Sequence, residues 1–246
     1  MRTDPGKAIA AERRRIEAEY DRRAQHIVSD LYAPWQPWTR LEVEQRISVA
    51  EAMLREAQSF PSPGDACLEV GCGTGGWLGT LLHWGVRPSD LHGVDLSASR
   101  LEEAQAKFPG ADLYVADGCA LPWGGNAFRL VIVSVVFTSI LDSVVRKQMA
   151  GEIERVLAPD GVLLWYDFAF NNPRNRNVRK VTQQELRQLF PNLRGKIARV
   201  TLAPPVARAI ARRSWGLAQT LSRVPWLRTH LLAVLRKDGS HRGASS

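Results

Sequence analysis

The chain has 246 residues, 45% of them apolar, which suits one large domain or one domain with additions. No apolar run approaches the roughly 18 residues that a membrane-spanning helix needs, and the first residues lack an apolar leader core. The net charge of +8 is lopsided: residues 1–170 carry 17 Lys and Arg against 23 Asp and Glu, whereas residues 171–246 carry 16 against 2.

The three cysteines, Cys67, Cys72 and Cys119, have no metal-ligand spacing and read as free thiols. No metal is expected. The cytoplasm is the expected location, with the surface of the inner membrane as an alternative. The basic C-terminal quarter predicts an anionic partner: RNA, an acidic membrane surface or a phosphorylated substrate. A solvated basic face is the plain alternative.

Residues 6–29 read as a charged helix with a thin apolar stripe, Ile9, Ile16, Tyr20 and Ile27. It is either a solvent-facing extension or a lid. Pro34 and Pro37 then break the helix among Tyr32, Trp35 and Trp38, rings that anchor this segment or wall a pocket. A second helix spans 41–58, with Leu41, Val43, Ile47, Ala50 and Leu54 near helical period. Residues 1–60 thus form an N-terminal helical extension, and 61–237 the main domain.

From Ala66 strands and helices alternate, the pattern of a parallel α/β sheet. Strands are expected at 66–70, 91–95, 112–117, 128–137 and 162–168. The helices between them run from Gly76 to about Trp84, over 98–107 with Ser97 as cap, and over about 142–157. Residues 158–161 read as a turn. A helix at 182–190 starts on Thr182, with Glu185 at the capping-box position. A strand at 197–202 precedes Pro204-Pro205, which open a basic helix, 206–221, within a helical insertion at 204–225. The final strand is 229–235, and the tail 238–246 is expected to be disordered.

The centre of this order is Cys67-Leu68-Glu69-Val70-Gly71-Cys72-Gly73-Thr74-Gly75-Gly76-Trp77: a strand, a turn of small residues and a helix start. Glycines at a turn allow positive φ and close approach to a ligand. The amides of the following helix N-terminus can bind its polar end. Asp95 lies 22 residues beyond Gly73. Gly71-x-Gly73-x-x-Gly76 formally fits the dinucleotide fingerprint.

The fuller pattern, a strand ending in Glu-Val-Gly-Cys-Gly-Thr-Gly-Gly, resembles motif I of the class I S-adenosylmethionine (SAM)-dependent methyltransferases. Leu231–Lys237 also resembles their terminal strand, which nicotinamide-binding Rossmann domains lack. The resemblance covers roughly 60–236. It implies an α/β, Rossmann-like seven-stranded sheet, with strand seven antiparallel between strands five and six and helices on both faces. It implies SAM as cofactor. Glu69, Gly71, Cys72, Gly73, Gly75 and Trp77 would form the turn around its methionine part. Asp95 would accept the ribose hydroxyls, a task two carboxylate oxygens suit. Leu96 would pack on the adenine, Asp117 would accept from the adenine amino group beside Gly118, and Ser134 would meet the methionine ammonium. Asp95 and Asp117 could also be plain strand-end caps.

The implied reaction is in-line methyl transfer, driven largely by alignment. Asp167 is the candidate general base, or a structural acid paired with a loop arginine. Phe137, Thr138, Tyr166, Phe168, Asn171 and Asn172 follow or end strands four and five and are the candidate acceptor wall. These aromatic, amide and hydroxyl groups suit the hydroxyl of a small molecule: a sugar, a phenol or a natural-product intermediate. The chain also looks like bacterial methyltransferases that tailor small molecules or glycans. The Asn-Pro-Pro-Tyr-type motif of base and amide N-methyltransferases is absent; Ser134-Val135-Val136-Phe137 stands in its place. Two alternatives stay open. One is an RNA or ribosome methyltransferase using the basic quarter. The other acts on a lipid-linked substrate at a membrane, held by Arg208, Arg212 and Arg213, with Val206, Ile210, Trp215, Leu217 and Leu221 as the apolar face.

Overall fold

A computed structural model describes residues 4–26, 33–171 and 175–237. Tyr32, Asn172 and the tail 238–246 lie outside the described residues. The N-terminal part holds α1 (Pro5–His26) and α2 (Pro37–Glu56). The alternating part holds β1 (Cys67–Val70), α3 (Gly76–His83), β2 (Leu91–Asp95), α4 (Ala98–Lys107), β3 (Asp112–Val115), β4 (Phe128–Ser134), α5 (Ser143–Val156) and β5 (Leu157–Phe168). Then come α6 (Gln183–Leu189), β6 (Leu193–Leu202), α7 (Pro204–Ile210), α8 (Trp215–Ser222) and β7 (Arg228–Lys237).

The seven strands form one sheet in the order β3-β2-β1-β4-β5-β7-β6. Strands β1 to β5 are parallel to one another, and β7 runs antiparallel to both β5 and β6. The expected seven-stranded sheet is therefore present. Its parallel strands all end at one edge, where ligands of open α/β sheets bind.

Side chains alternate across each strand, so the central strands feed two cores. Val131, Val133, Leu163 and Trp165 face α5, with Met149 and Ile153. Leu130, Ile132, Leu164 and Tyr166 face α2 and α3, with Met53, Leu54, Trp77 and Leu81. A third, small cluster joins α7 and α8 to the start of α2 through Leu41, Leu202, Ala207, Ala211 and Ala218.

Several boundaries differ from expectation for local reasons. Strand β4 ends at Ser134, because Val135 turns into the left-handed region at φ +59. Residues 158–161 belong to β5 rather than to a free turn. Phe128 pairs with Leu157 and Leu130 with Val162, so the intervening residues bulge out of the ladder. The basic helix is two helices: Ser214 takes extended backbone, and its side chain accepts from the Leu217 amide to start α8. Thr182 caps α6 as expected, but Glu185 turns away from the capping box to Arg146 and Arg179. The aromatic anchor before α2 is partial: Trp38 packs on the third cluster while Trp35 is exposed.

Candidate functional site

The turn after β1 is built from backbone that only glycine adopts easily. Gly71, Gly73 and Gly75 have φ of +73, +52 and +84. A Cβ on Gly71 would lie 2.6 Å from Val136, and one on Gly75 2.3 Å from Phe108; one on Gly73 would have only the Arg100 guanidinium within 4 Å. Gly73 is thus the position where the backbone opens toward the sheet edge. The amides of Gly71 and Cys72 donate to the Val94 carbonyl at 2.8 and 2.9 Å, locking the turn to β2.

Glu69 works from below. Its carboxylate accepts from the Leu78 amide at 3.2 Å and is almost fully buried. Burial pushes its pKa up to about 8, against the pull of Arg46 and these amides. Glu69 therefore occupies the first-turn amides of α3 that the sequence offers to a ligand. Cys72 packs its buried sulfur over Gly93, and burial raises its thiol pKa. Trp77 lies in the core against Trp84, beneath the turn rather than in it.

Asp95 stands at the end of β2 with one oxygen accepting from Gly73 N and the other from Ser97 N, each at 2.9 Å. Both oxygens retain a second lone pair. Leu96 beside it is half-buried. Asp117 accepts from Cys119 N at 2.8 Å. A Cβ on neighbouring Gly118 would lie 2.6 Å from Met149. Ser134 closes β4, half-buried, in register with Tyr166. The strained Val135 follows it, as such outliers often do beside sites. The structure thus brings the glycine turn, Asp95, Asp117 and Ser134 to one edge.

Helix α1 lies across this edge. Glu12 accepts from the amides of Leu141 and Asp142 after β4, and Arg15 donates to the Ser139 carbonyl. Asn177, beyond β5, donates to Glu19 at 2.7 Å. Arg100 at the start of α4 sits 4.6 Å over the Tyr20 ring. Ala8 enters the core, with Ile9 and Ile16 packed on it. The helix bridges loops that follow β2, β4 and β5. Arg15, Ile16, Glu19, Tyr20, Ser139 and Asn177 line the narrow gap beneath it.

Among the described residues, those expected to form the acceptor wall point in different directions. Phe137 is fully buried against Trp165 and Phe190. Tyr166 and Asp167 point to opposite faces of β5, as adjacent strand residues must. Phe168 packs on His230, and the Asn171 side chain accepts from Lys180 N. Thr138 is buried, with its hydroxyl lacking a partner.

Asp167 is only 1% exposed, and its two oxygens accept from the amides of Phe168 and Thr138 at 2.8 and 2.9 Å. It braces the end of β4 against β5 and is not the expected base. Burial pushes its pKa up to about 7, partly offset by those amides and by Arg146. An acid raised on folding favours the folded state when protonated. That contribution is full below the unfolded value of 3.8 and is lost as pH rises through about 7. Glu69 acts in the same direction up to about 8. Urea unfolding at a series of pH values should show stability falling between about pH 5 and 8, with Asp167 contributing about 3 kcal/mol of the loss up to about pH 7 and neutral His230 opposing it below its ordinary value of 6.5. The slope should shrink in Asp167→Asn, whatever that variant's absolute stability. An unchanged slope would count against this reading.

A buried polar cluster on the α2 face escaped the sequence reading. The Arg46 guanidinium lies 5.0 Å over the Trp77 ring and 5.3 Å over Tyr166. The Tyr166 hydroxyl donates to Glu42 at 3.3 Å, lies 2.9 Å from the Thr201 hydroxyl, and its ring stacks on His230. Burial holds His230 neutral, with its pKa pushed down to about 3, and raises that of Glu42. Arg46 Nε, Gln45 Nε2, His230 Nε2, Thr39 Oγ1 and Trp77 Nε1 are buried without hydrogen-bond partners. Buried polar atoms are rarely left so. The available signal was Thr39, Glu42 and Arg46 at helical spacing on the face of α2 that also buries Leu54.

Comparison with known proteins agrees with this geometry. Residues 67–161 match the model of a family described as a methyltransferase domain. The uncharacterized methyltransferase YodH of Bacillus subtilis is 33% identical over 135 residues, covering 52% of each chain. The chain therefore spans about half the length of that relative. The demethylmenaquinone methyltransferase of Renibacterium salmoninarum is 27% identical over 168 residues, covering 67% of each. A solved geranyl diphosphate C-methyltransferase from Streptomyces coelicolor, in complex with S-adenosyl-L-homocysteine, superposes with a TM-score of 0.59 at 16% identity, covering 86% of this chain and 84% of that one. At that identity the likeness is one of fold.

Proposed function

We propose that the chain is a class I SAM-dependent methyltransferase that methylates a small hydroxylated molecule at the sheet edge covered by α1. SAM is the cofactor, and when bound it supplies an electrophilic methyl group on a sulfonium. The residues suit it. Gly73 opens the turn, Asp95 keeps lone pairs for the ribose hydroxyls, and Asp117 keeps one oxygen for an amino donor. Arg46 is assigned to the carboxylate end: its charge acts on Glu69 and its Nε lacks a partner.

The observation that carries the small-molecule reading is α1 itself. It is pinned across the sheet edge by Glu12, Arg15 and Glu19, and among the described residues it covers that edge so closely that an acceptor enters only when the helix moves aside. Tyr20 and Ile16 offer apolar wall there, while Ser139 and Asn177 offer hydrogen bonds. Glu19 borders the gap beneath the helix with both oxygens engaged by Arg22 and one also by Asn177, so it positions the helix over the edge. Helix α1 acts as the lid that excludes water and aligns the acceptor.

A phenolic or quinol acceptor fits both an oxygen and a carbon target, since a deprotonated ring hydroxyl delivers electron density to either. The carbon reading is favoured by the relative named for demethylmenaquinone methylation. The test is incubation with methyl-labelled SAM and a panel of phenols, quinols and sugars. S-adenosylhomocysteine release should require a small acceptor, and NMR of the product separates O- from C-methylation. Label appearing only in RNA would reject the small-molecule reading; absence of SAM binding would reject the cofactor.

A further inference from the structure

The third cluster, where α7 and α8 pack on α2, carries an outer shell that the methyl-transfer site does not use. Val206, Ile210, Trp215 and Leu221 pack inward on Ala207, Ala211 and Ala218. All of the apolar stripe expected to face a partner except Leu217 is thus packed against the fold. What points outward is different. Trp226, 82% exposed, follows Pro225 and precedes Leu227 of the cluster. Leu217, 50% exposed, adjoins Ala218, and Trp35, 72% exposed, lies one turn before Trp38.

Cations occupy the same shell. Arg212 and Arg213 follow Ala211, Arg208 follows Ala207, and Arg223 closes α8. Among the described residues none of these four side chains has a hydrogen-bond or ion-pair partner, whereas nearby Glu44 is engaged by Arg40. Between Glu185 and Asp238 the chain holds no acidic residue at all. Beside the shell lies a groove of about 450 Å³ bordered by Ser48, Gln219 and Arg223. Arg228 also borders it, but its guanidinium donates to the carbonyls of Ser222, Arg199 and Arg223.

A single exposed apolar side chain needs no explanation. Two exposed tryptophans and an exposed leucine, each next in sequence or one turn from a residue of the third cluster that four unpaired arginines also flank, do. We propose that this shell docks on an anionic lipid bilayer. Tryptophan side chains settle at the membrane–water interface. Each arginine near an anionic surface gains about fivefold in partition. The groove is bordered by the Glu44 carboxylate as well as by Arg223, so the bilayer contact is assigned to the exposed shell and not to the groove. RNA would use the arginines and could stack on the tryptophans, but it gives Leu217 nothing to do.

The test is co-sedimentation of the full chain with phosphatidylcholine vesicles, with and without phosphatidylglycerol. Phosphatidylglycerol should raise the bound fraction at least about tenfold, and high salt should remove most of the gain. Arg212→Glu with Arg213→Glu should lower the partition at least about tenfold. Trp226→Ser with Leu217→Ser should lower it several-fold, with the thermal midpoint unchanged in both pairs. Equal binding to both vesicles would overturn the proposal. So would tighter binding to bulk tRNA that the arginine reversals abolish and the Trp226→Ser and Leu217→Ser pair leaves intact, since that assigns the shell to nucleic acid.

Discussion

Asp95→Ala is expected to weaken binding of S-adenosylhomocysteine about a hundredfold in titration calorimetry, while the protein stays folded by circular dichroism. The carboxylate has two duties. Its oxygens already hold Gly73 N and Ser97 N at 2.9 Å, which fixes the turn and the start of α4. Their remaining lone pairs face the edge where the ribose hydroxyls are assigned. Hydrogen bonds to a charged group contribute about 1.5–3 kcal/mol each, and about 1.4 kcal/mol is tenfold. Two such bonds at the lower end of that range give about the hundredfold. Asp95→Asn keeps one acceptor and replaces the other with a donor that opposes an amide, so about tenfold is expected for it. The order wild type, Asn, Ala is the informative result. Affinities within threefold of one another would remove the ribose from Asp95 and leave it a strand-end cap.

The ends of β1, β2 and β5 were readable in the sequence because the apolar runs that form them are local, whereas β3 and β4 stop short of the expected residues. Ser97, Asp142 and Thr182 cap their helices through their own side chains, and α4 runs over the expected residues. What failed was whatever depended on contacts distant in the chain. Glu12 and Glu19 look like surface charge on a polar helix, yet they accept amide donors about 130 to 160 residues away. The pattern cannot show which loop a charged helix caps. Strand period alone places Tyr166 and Asp167 on opposite faces of β5, so one cleft does not take both. The break at Ser214 was also legible, since Ser is a strong N-cap and Trp215 resumes the apolar spacing.

The largest stability loss is expected at Arg146, which no motif singles out. It is only 1% exposed and ties three segments together. Its Nε donates to the Ile140 carbonyl at 2.7 Å, and its two terminal nitrogens reach Glu185 at 2.7 Å and the Arg179 carbonyl at 3.1 Å. Burial lowers its pKa, while Glu185 and nearby Asp167 oppose that shift. The residue thus holds the loop after β4, the loop after β5 and α6 in one arrangement, and those loops carry Ser139 and Asn177. Removing one partner of a buried, hydrogen-bonded charge typically costs about 3–5 kcal/mol. Glu185 is partly exposed and keeps Arg179, so much of the cost here comes from two orphaned carbonyls and a cavity. In a chain of this size that corresponds to a fall in thermal midpoint of roughly 6–20 °C for Arg146→Ala. Arg146→Lys keeps the charge but cannot span three acceptors, so it should lose most of the same stability. Cofactor affinity should hold within about threefold in either variant at temperatures where it is folded, because the glycine turn and Asp95 lie on β1 and β2. A loss below about 1 kcal/mol would show that the three segments are held by their apolar contacts and not by the guanidinium.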